Sequence, residues 1–384
     1  MADRTGIEWT DATWNPIVGC SVVSPGCTNC YAMKMAARIE AMQPGAHYAG
    51  TTQAGKAGAV WTGKLALAPD SILTQPLRWR RPRRIFVNSM GDLFHEDVPD
   101  AWIDRVFAIM ALTPQHTYQV LTKRSARMRE YLTAPGRYER VYEEIFGGSE
   151  WPPLPKGMDT VAASDNLSAL LLQGHLPNVW LGVSTEDQPR ADERVPDLLA
   201  TPAAIRFVSA EPLLGPIDYR SIRRYNPTGA PWIDALRGLV TRGDYLARSP
   251  SECSFNTSTR FPGELPKLDL VIVGGENGPR PMNPDWARSL RDRCAAADTA
   301  FFFKQWGSWA PGEWTFDLDD HLHFTPDDDA VPVSRLNLAG ADKRMIWSAQ
   351  NRTPEGRGFL NVGKRAAGRL LDGVEHNAMP EARS

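Results

Sequence analysis

The nine residues VWLGVSTED (179–187) begin as an unbroken apolar run and end in four polar residues. Continuous apolar character, without alternation, indicates a strand that is covered on both faces, as in a parallel sheet. Five further stretches have a similar form: RIFVNSMGD (84–92), TYQVLTKR (117–124), AIRFVSAEP (204–212), LDLVIVGGENG (268–278) and TAFFFKQWG (299–307).

Segments with helical periodicity lie between these runs. Residues 100–112 and 283–297 carry apolar side chains at helical spacing, and Pro284 stands at a position typical of a first helical residue. A strand followed by a helix, repeated along the chain, predicts an α/β fold, either an open doubly wound sheet or a (β/α) barrel.

Polar side chains gather where the predicted strands end. In parallel α/β folds the carboxyl ends of the strands form the edge at which ligands bind, so these residues predict a ligand site. The residues are Ser89 to Asp92, Thr122 to Arg124, Ser184 to Glu186, Glu211, Glu276, Lys304 and Gln305.

The regular pattern is interrupted in two places. Residues 134–178 and 219–267 are predicted to be loop-rich insertions in a domain that spans residues 1–310. Residues 311–384 lack the strand–helix rhythm and are predicted to form a small C-terminal extension.

The composition is that of a globular protein, with 384 residues, 42% hydrophobic and 23% charged. The net charge of −2 means that any affinity for nucleic acid must come from a local patch. The chain has no apolar run long enough to span a membrane, and its charged first residues do not resemble a secretory signal.

Cysteine usage is the most informative feature of the chain. Three of the five cysteines, Cys20, Cys27 and Cys30, lie close together with the spacing C-x6-C-x2-C. Thiolates are soft ligands for zinc, copper(I) or iron–sulfur clusters, and the odd count favours metal or redox chemistry in a reducing cytoplasm. No neighbouring residue supplies an obvious fourth ligand, so a cluster here would keep one iron open. A structural zinc site completed by a histidine or Cys294, and a set of metal-free thiols, are the alternatives.

The stretch NPIVGCSVVSPGCTNCYA (15–32) resembles the cluster loop of radical S-adenosylmethionine (SAM) enzymes, most closely the branch that contains spore photoproduct lyase. The chain is also similar, almost from end to end, to a group of phage and prophage proteins of uncharacterised function that share the three-cysteine motif. The stretches that carry this second likeness are IEWTDATWNP, VLTKR, WLGVSTED, SAEPLLGPI, GGENGPRPMNPDWARSLRDRC, FFFKQWG and GKRAAGRLLDG.

The radical SAM resemblance implies a partial (β/α) barrel, which here would have about six parallel strands. It implies a 4Fe–4S cluster on the three cysteines, with SAM on the fourth iron as the source of a 5′-deoxyadenosyl radical. The residues expected at SAM are Ser89, Gly91 and Asp92, with Asp92 accepting from the ammonium, and Lys123 and Ser184 at the carboxylate and ribose.

The sequence departs from the usual pattern of that superfamily. The first cysteine gap is longer than in most members, and Asn29 stands where an aromatic residue is common. The triplet Gly-Gly-Glu, which normally binds the SAM amine near the second strand, occurs here at 274–276. Glu276 is therefore a candidate catalytic residue facing the substrate, together with Lys304 and with Cys253, whose thiol could return a hydrogen atom.

A run of five arginines and one tryptophan, residues 78–84, leads into the predicted strand RIFVNSMGD (84–92). Arginine binds phosphates and tryptophan stacks on bases, so the run predicts a nucleic-acid interface near the ligand edge; a solvated basic turn is the alternative. The candidate residues are Arg78, Trp79, Arg80, Arg81, Arg83 and Arg84.

We therefore predict a cytoplasmic radical SAM enzyme that repairs or modifies nucleic acid, with DNA favoured. A flavodoxin or ferredoxin would supply the electron, a protein partner is left open, and no membrane association is expected. Two alternatives are a non-catalytic DNA-binding protein stabilised by zinc or an iron–sulfur cluster, and a phage-derived peptide-modifying enzyme.

Overall fold

The computed structural model describes residues 5–56, 58–147, 159–223, 232–241, 265–316, 322–327 and 357–381. In chain order, the strands are β1 (Ala12–Trp14), β2 (Ile17–Val18), β3 (Thr52–Gly55), β4 (Gly58–Trp61), β5 (Ala66–Leu67), β6 (Arg84–Val87), β7 (Thr117–Thr122), β8 (Val179–Ser184), β9 (Ile205–Ala210), β10 (Ile222–Arg223), β11 (Trp232–Asp234), β12 (Leu239–Thr241), β13 (Leu270–Gly274), β14 (Ala300–Gln305), β15 (Trp309–Phe316), β16 (Leu322–Pro326) and β17 (Arg357–Asn361). The α-helices are α1 (Tyr31–Met42), α2 (Asp70–Leu73), α3 (Asp100–Leu112), α4 (Ser125–Thr133), α5 (Arg137–Phe146), α6 (Thr160–Gln173), α7 (Gln188–Leu199), α8 (Pro284–Ala295) and α9 (Lys364–Ala367).

A central sheet of seven strands, in the order β1-β6-β7-β8-β9-β13-β14, organises the molecule. Its neighbouring strands all run parallel. Every residue of β8 and β9 is buried, as their mainly apolar sequences predict, and the burial extends to Arg206 in β9. The sheet with its helices forms a partial (β/α) barrel, so the predicted fold is confirmed; the six predicted runs are joined by β1 as a seventh strand.

The two faces of the sheet pack against different partners. Val120, Leu181 and Val208 belong to the main core that the helices cover. On the inner face, Phe207 belongs to a second cluster, and the ring of Trp9 lies 6.0 Å from it. Side chains alternate between the two faces along each strand. The apolar side chains of the second cluster therefore cover the inner face, and polar residues follow them at the carboxyl ends of the strands.

The C-terminal extension returns to the edge of the sheet. The strands β15, β16 and β17 form a small antiparallel sheet. The indole of Trp306 donates to the carbonyl of Leu370 (2.8 Å), and the amide of Phe303, in β14, donates to the carbonyl of His376 (2.9 Å). The extension therefore packs on β14 and its following turn.

The two predicted insertions contain regular structure. Residues 134–178 hold the helices α5 and α6, because Val141 and Ile145 lie on one face of α5 and pack into the core. This differs from the loop-rich prediction. In the region 219–267, β10, β11 and β12 form an antiparallel sheet, while residues 224–231 and 242–264 lie outside the described residues. Among the helices that the structure describes, none is long and apolar enough to cross a membrane.

Candidate functional site

A pocket of about 230 Å³ lies at the carboxyl edge of the central sheet. Its wall comes from the cysteine-containing loop and from the ends of β6, β7, β8, β9, β13 and β14. The structure brings these predicted site residues together around it: Cys20, Cys27, Cys30, Ser89, Gly91, Asp92, Lys123, Ser184, Glu276 and Lys304. The remaining catalytic candidate, Cys253, lies outside the described residues.

The cluster loop, residues 19–30, starts against the segment that follows β6. The amide of Gly19 donates to the carbonyl of Met90 (3.2 Å), and Gly19 forms a parallel bridge with Gly91. A Cβ on Gly91 would lie 2.9 Å from the carbonyl oxygen of Ile17. Gly91, predicted to bind the cofactor, therefore also permits the close backbone approach that positions Cys20.

Substitution of Gly19 by alanine is expected to destabilise the protein by more than the cost of backbone strain, about 1–3 kcal/mol. Gly19 has φ +92, and its Cβ would lie 2.1 Å from the backbone oxygen of Lys64. Gly63→Ala is the matched control, because Gly63 also has positive φ (+85) but no atom near its Cβ position. Urea unfolding measures the loss of unfolding free energy in both variants, and the difference between them gives the cost of the steric clash at Gly19. Equal losses in the two variants would show that the clash is relieved without cost.

Arg124 joins the end of β7 to the cluster loop. Its Nη1 donates to Cys20 Sγ (3.4 Å) and to Asp92 Oδ2 (3.1 Å). Its Nη2 donates to the hydroxyl (2.7 Å) and carbonyl (3.2 Å) of Ser21. Only 6% of Arg124 is exposed, so these contacts operate away from water. One buried guanidinium therefore holds the start of the cluster loop and touches a predicted cluster ligand.

Both carboxylate oxygens of Asp92 accept hydrogen bonds from donors of the protein. Oδ1 accepts from the Thr122 hydroxyl (2.6 Å) and the Phe94 amide (3.1 Å). Oδ2 accepts from the Lys123 amide (3.0 Å) and from Arg124. A carboxylate has about four acceptor sites. Binding of an ammonium by Asp92 stays a prediction, and the geometry gives Asp92 the task of orienting Arg124.

Glu186 ties the middle of the cluster loop to the end of β8. Its Oε1 accepts from the amide of Gly26 (3.3 Å), and its Oε2 accepts from Arg194 Nη1 (3.0 Å). Glu186 is fully buried and Arg194 is 2% exposed. Burial raises the pKa of Glu186, but the charges of Lys123 and Arg194 outweigh it and hold the pKa below its usual value. Glu186 is therefore an anionic anchor.

Glu276 is held in a third ion pair. It binds Arg280 through both carboxylate oxygens, and Arg280 Nη2 donates to the carbonyl of Pro25 in the cluster loop (3.1 Å). Glu276 lines the pocket, and its contact with a substrate stays a prediction. Its carboxylate is engaged by Arg280, however, so the geometry favours a role in holding the loop.

The thiols of Cys20 and Cys30 are largely buried, and hydrogen-bond donors lie beside each sulfur. Burial raises the pKa of Cys20 to about 12, against the lowering effect of Arg124. Burial also raises the pKa of Cys30, against hydrogen bonds from the Ala32 and Met33 amides in the first turn of α1. These donors stabilise thiolates, so a metal that displaces the thiol protons would find both sulfurs already supported.

The position of the three cysteines on one pocket wall bears on which metal group they could hold. Within the described part of the chain, no three His, Cys, Asp or Glu side chains are gathered as a site for one metal ion. Zinc–sulfur bonds of about 2.3 Å would require sulfurs about 4 Å apart. A 4Fe–4S cluster binds each cysteine at a different iron and so accepts more widely separated sulfurs. Cys20, Cys27 and Cys30 share one pocket wall, as a cluster bound through three cysteines would require.

A fourth ion pair in the pocket joins the ends of β9 and β14 instead of holding the cluster loop. Lys304 Nζ donates to both oxygens of Glu211, at 2.7 and 2.8 Å. β13 separates β9 from β14, and a Cβ on Gly274 would lie 3.3 Å from the Glu211 side chain. The glycine at the end of β13 thus leaves space for the pair to lie across that strand.

The arginine run lies at the opposite edge of the sheet, so its predicted location is wrong. The run precedes and begins β6, whereas the pocket residues follow the end of that strand. Trp79 is 8% exposed and packs edge-on against His116, so it cannot stack on a base.

Most of the arginines in the run have local partners. Arg83 lies 4.9 Å over the Trp79 ring, Arg78 binds Thr74, and Arg84 pairs with Asp11 at 3.7 Å. Arg80 and Arg81 are exposed. The binding of nucleic acid by this run stays a prediction, without support from proximity to the pocket.

The sequence did not identify Arg194 and Arg280 as residues of the site, and it placed Arg124 and Glu211 at the ligand edge without assigning their partners. Arg124 and Glu211 stood at strand ends and carried a signal. Arg280, four residues after Glu276, had the spacing of an ion pair. Arg194 had none, because it lies inside an amphipathic helix where arginine is usually exposed.

Comparison with known proteins adds a family without a function. Residues 4–380 match the model of a family described as protein of unknown function (DUF5131). No curated protein and no solved structure matches the chain.

Proposed function

The chain belongs to the DUF5131 family of proteins of unknown function, and we propose that it is a radical SAM enzyme with one 4Fe–4S cluster. The observation that carries the proposal is the position of Cys20, Cys27 and Cys30 on the wall of one pocket, facing the polar ends of parallel strands. When bound, the cluster and SAM supply a 5′-deoxyadenosyl radical that abstracts hydrogen from a substrate.

The protein's own residues would position these groups and restrict water. Three ion pairs hold the cluster loop at Ser21, Pro25 and Gly26. A loop fixed at three points keeps its cysteines in register when a substrate enters. Lys123 and Ser184 line the pocket beyond the loop and suit the carboxylate and ribose of SAM.

The pair Glu211–Lys304 is the proposed contact for the substrate. Its two side chains are 22% and 12% exposed, and they carry an acceptor and a donor on the pocket wall. The pair joins the ends of two strands, β9 and β14, and both of its residues line the pocket. This assigns Lys304, predicted to be catalytic, to substrate binding together with Glu211.

Nucleic acid, with DNA favoured, is the proposed target, and this part of the proposal depends on the likeness to a photoproduct lyase. A flavodoxin or ferredoxin in the cytoplasm is the proposed electron donor. The basic residues that line the pocket are Lys123, Arg124 and Lys304, and the last two are paired with carboxylates, so further phosphate contacts would have to come from outside it. A non-catalytic zinc protein is less favoured, because the cysteines are not gathered around a single ion.

The test is anaerobic reconstitution of the purified chain with iron and sulfide, followed by SAM and dithionite. A brown protein absorbing near about 400 nm that yields 5′-deoxyadenosine is expected. Duplex DNA added in a parallel reaction should increase the yield if DNA is the target. A colourless protein with stoichiometric zinc would contradict the proposal, and an intact cluster without SAM cleavage would leave only a binding role.

A further inference from the structure

Arg124 contacts a predicted cluster ligand directly, and this property distinguishes it from the other loop anchors. Its Nη1 lies 3.4 Å from Cys20 Sγ, whereas Arg280 binds the backbone of Pro25 and Arg194 acts through Glu186. The Arg124 side chain is 4% exposed. A cation at this distance and depth interacts strongly with any charge placed on the sulfur.

Asp92 places an opposite charge beside the same sulfur. Its Oδ2 lies 3.1 Å from Arg124 Nη1, the same nitrogen that lies 3.4 Å from Cys20 Sγ, so the carboxylate and the sulfur share one donor. The side chains of this pair are 4% and 6% exposed, so solvent screens neither charge effectively. The structure therefore contains one positive and one negative group whose effects at Cys20 have opposite signs.

Reduction of an iron–sulfur cluster adds one electron to a group that already carries thiolate charge. Hydrogen bonds to the sulfurs and nearby charges are among the factors that set the reduction potential. A cation stabilises the reduced state more than the oxidised state, and an anion does the reverse. The direction of each effect follows from the sign of the charge alone.

We propose that Arg124 raises, and Asp92 lowers, the reduction potential of the cluster bound through Cys20. Both are positioning residues, because they act through the ligand and on the electron that the cluster accepts. The electron comes from the reductant, dithionite in the test, and no bond to either residue forms or breaks. The inference rests on the proposed function, since it requires a cluster.

The test compares midpoint potentials of the reconstituted chain without SAM, by redox titration followed by electron paramagnetic resonance. Arg124→Gln should make reduction at least about tenfold less favourable, a shift of about −59 mV for a one-electron couple. Asp92→Asn should shift the potential in the positive direction. Ser21→Ala is the matched control, because it removes a hydrogen bond between Arg124 and the same loop without changing any charge, and it should leave the potential unchanged.

Opposite signs are the result that a merely structural role would not produce. If Arg124→Gln and Asp92→Asn shift the potential in the same direction, or leave it unchanged, the proposal is overturned. If Arg124→Gln fails to fold, Asp92→Asn alone still tests the direction of the shift. Arg124→Lys keeps the charge, so its midpoint potential should lie between that of the wild type and that of a neutral substitution. Failure of the wild-type chain to bind a cluster would instead contradict the proposed function.

Discussion

Replacement of any one of Cys20, Cys27 and Cys30 by alanine is expected to abolish the cluster. Each cysteine would bind a different iron, and a 4Fe–4S cluster left with two protein ligands is not retained. Iron should fall from about four atoms per chain to less than about one, with loss of the absorbance near about 400 nm and of 5′-deoxyadenosine formation. Iron analysis and the absorption spectrum after reconstitution measure the effect.

Cys294→Ala is the matched control for these variants. Cys294 is fully buried in α8 and packs in the main core, away from the pocket residues. The control should keep its iron and its spectrum. Circular dichroism confirms that each variant is folded. Full iron content in a folded Cys27→Ala variant would show that the three cysteines do not act as one ligand set.

Replacement of Glu186 by glutamine is expected to lower the free energy of unfolding of the apoprotein by about 3–5 kcal/mol. The substitution leaves the charge of Arg194, which is only 2% exposed, buried without its counter-ion. It also weakens the acceptor for the Gly26 amide, so the cluster loop should loosen. Urea unfolding followed by circular dichroism measures the loss.

An exposed ion pair provides the control. Arg84 and Asp11 are 40% and 51% exposed at 3.7 Å, so Arg84→Ala should cost less than about 1 kcal/mol. The double substitution Glu186→Gln with Arg194→Met should recover stability relative to Glu186→Gln alone, because it removes the uncompensated charge. A Glu186→Gln variant as stable as the control would contradict the assignment of a buried anchor.

The stabilisation by Glu186 should depend on pH in one direction. Its pKa in the folded state lies below the ordinary value of 4.5. The contribution is therefore fully present above the unfolded-state pKa and is lost as the pH falls through the lower folded-state value. The difference in stability between the wild type and Glu186→Gln should accordingly shrink on acidification.

Much of the site could be predicted because the carboxyl ends of the strands are recognisable in the sequence. An apolar run that ends in polar residues identifies the carboxyl edge of the sheet, and ten of the predicted site residues line one pocket there. The error over the arginine run was avoidable by the same logic. Residues that precede a strand of a parallel sheet lie at the amino edge, and Arg80 and Arg81 precede β6.

The roles of the acidic residues could not be predicted in this way. Asp92 and Glu276 looked available for a cofactor or a substrate, yet the structure commits both to arginines. Whether a carboxylate in a pocket is free depends on the donors that converge on it. Asp92 receives one of them from Arg124, 32 residues away, and Arg280 also reaches Pro25 across 255 residues.

The sequence by itself determined the parallel sheet, its ligand edge and the three clustered cysteines, because burial of a strand and spacing within a loop are local properties. Only the tertiary structure decided which charges meet at that edge. Ion pairs such as Arg124 with Asp92 and Glu211 with Lys304 depend on the order of the strands and on the space left between their ends. Those quantities arise when the sheet assembles, and they decide which ion pairs hold the cluster loop and which pair is left as the proposed contact for a substrate.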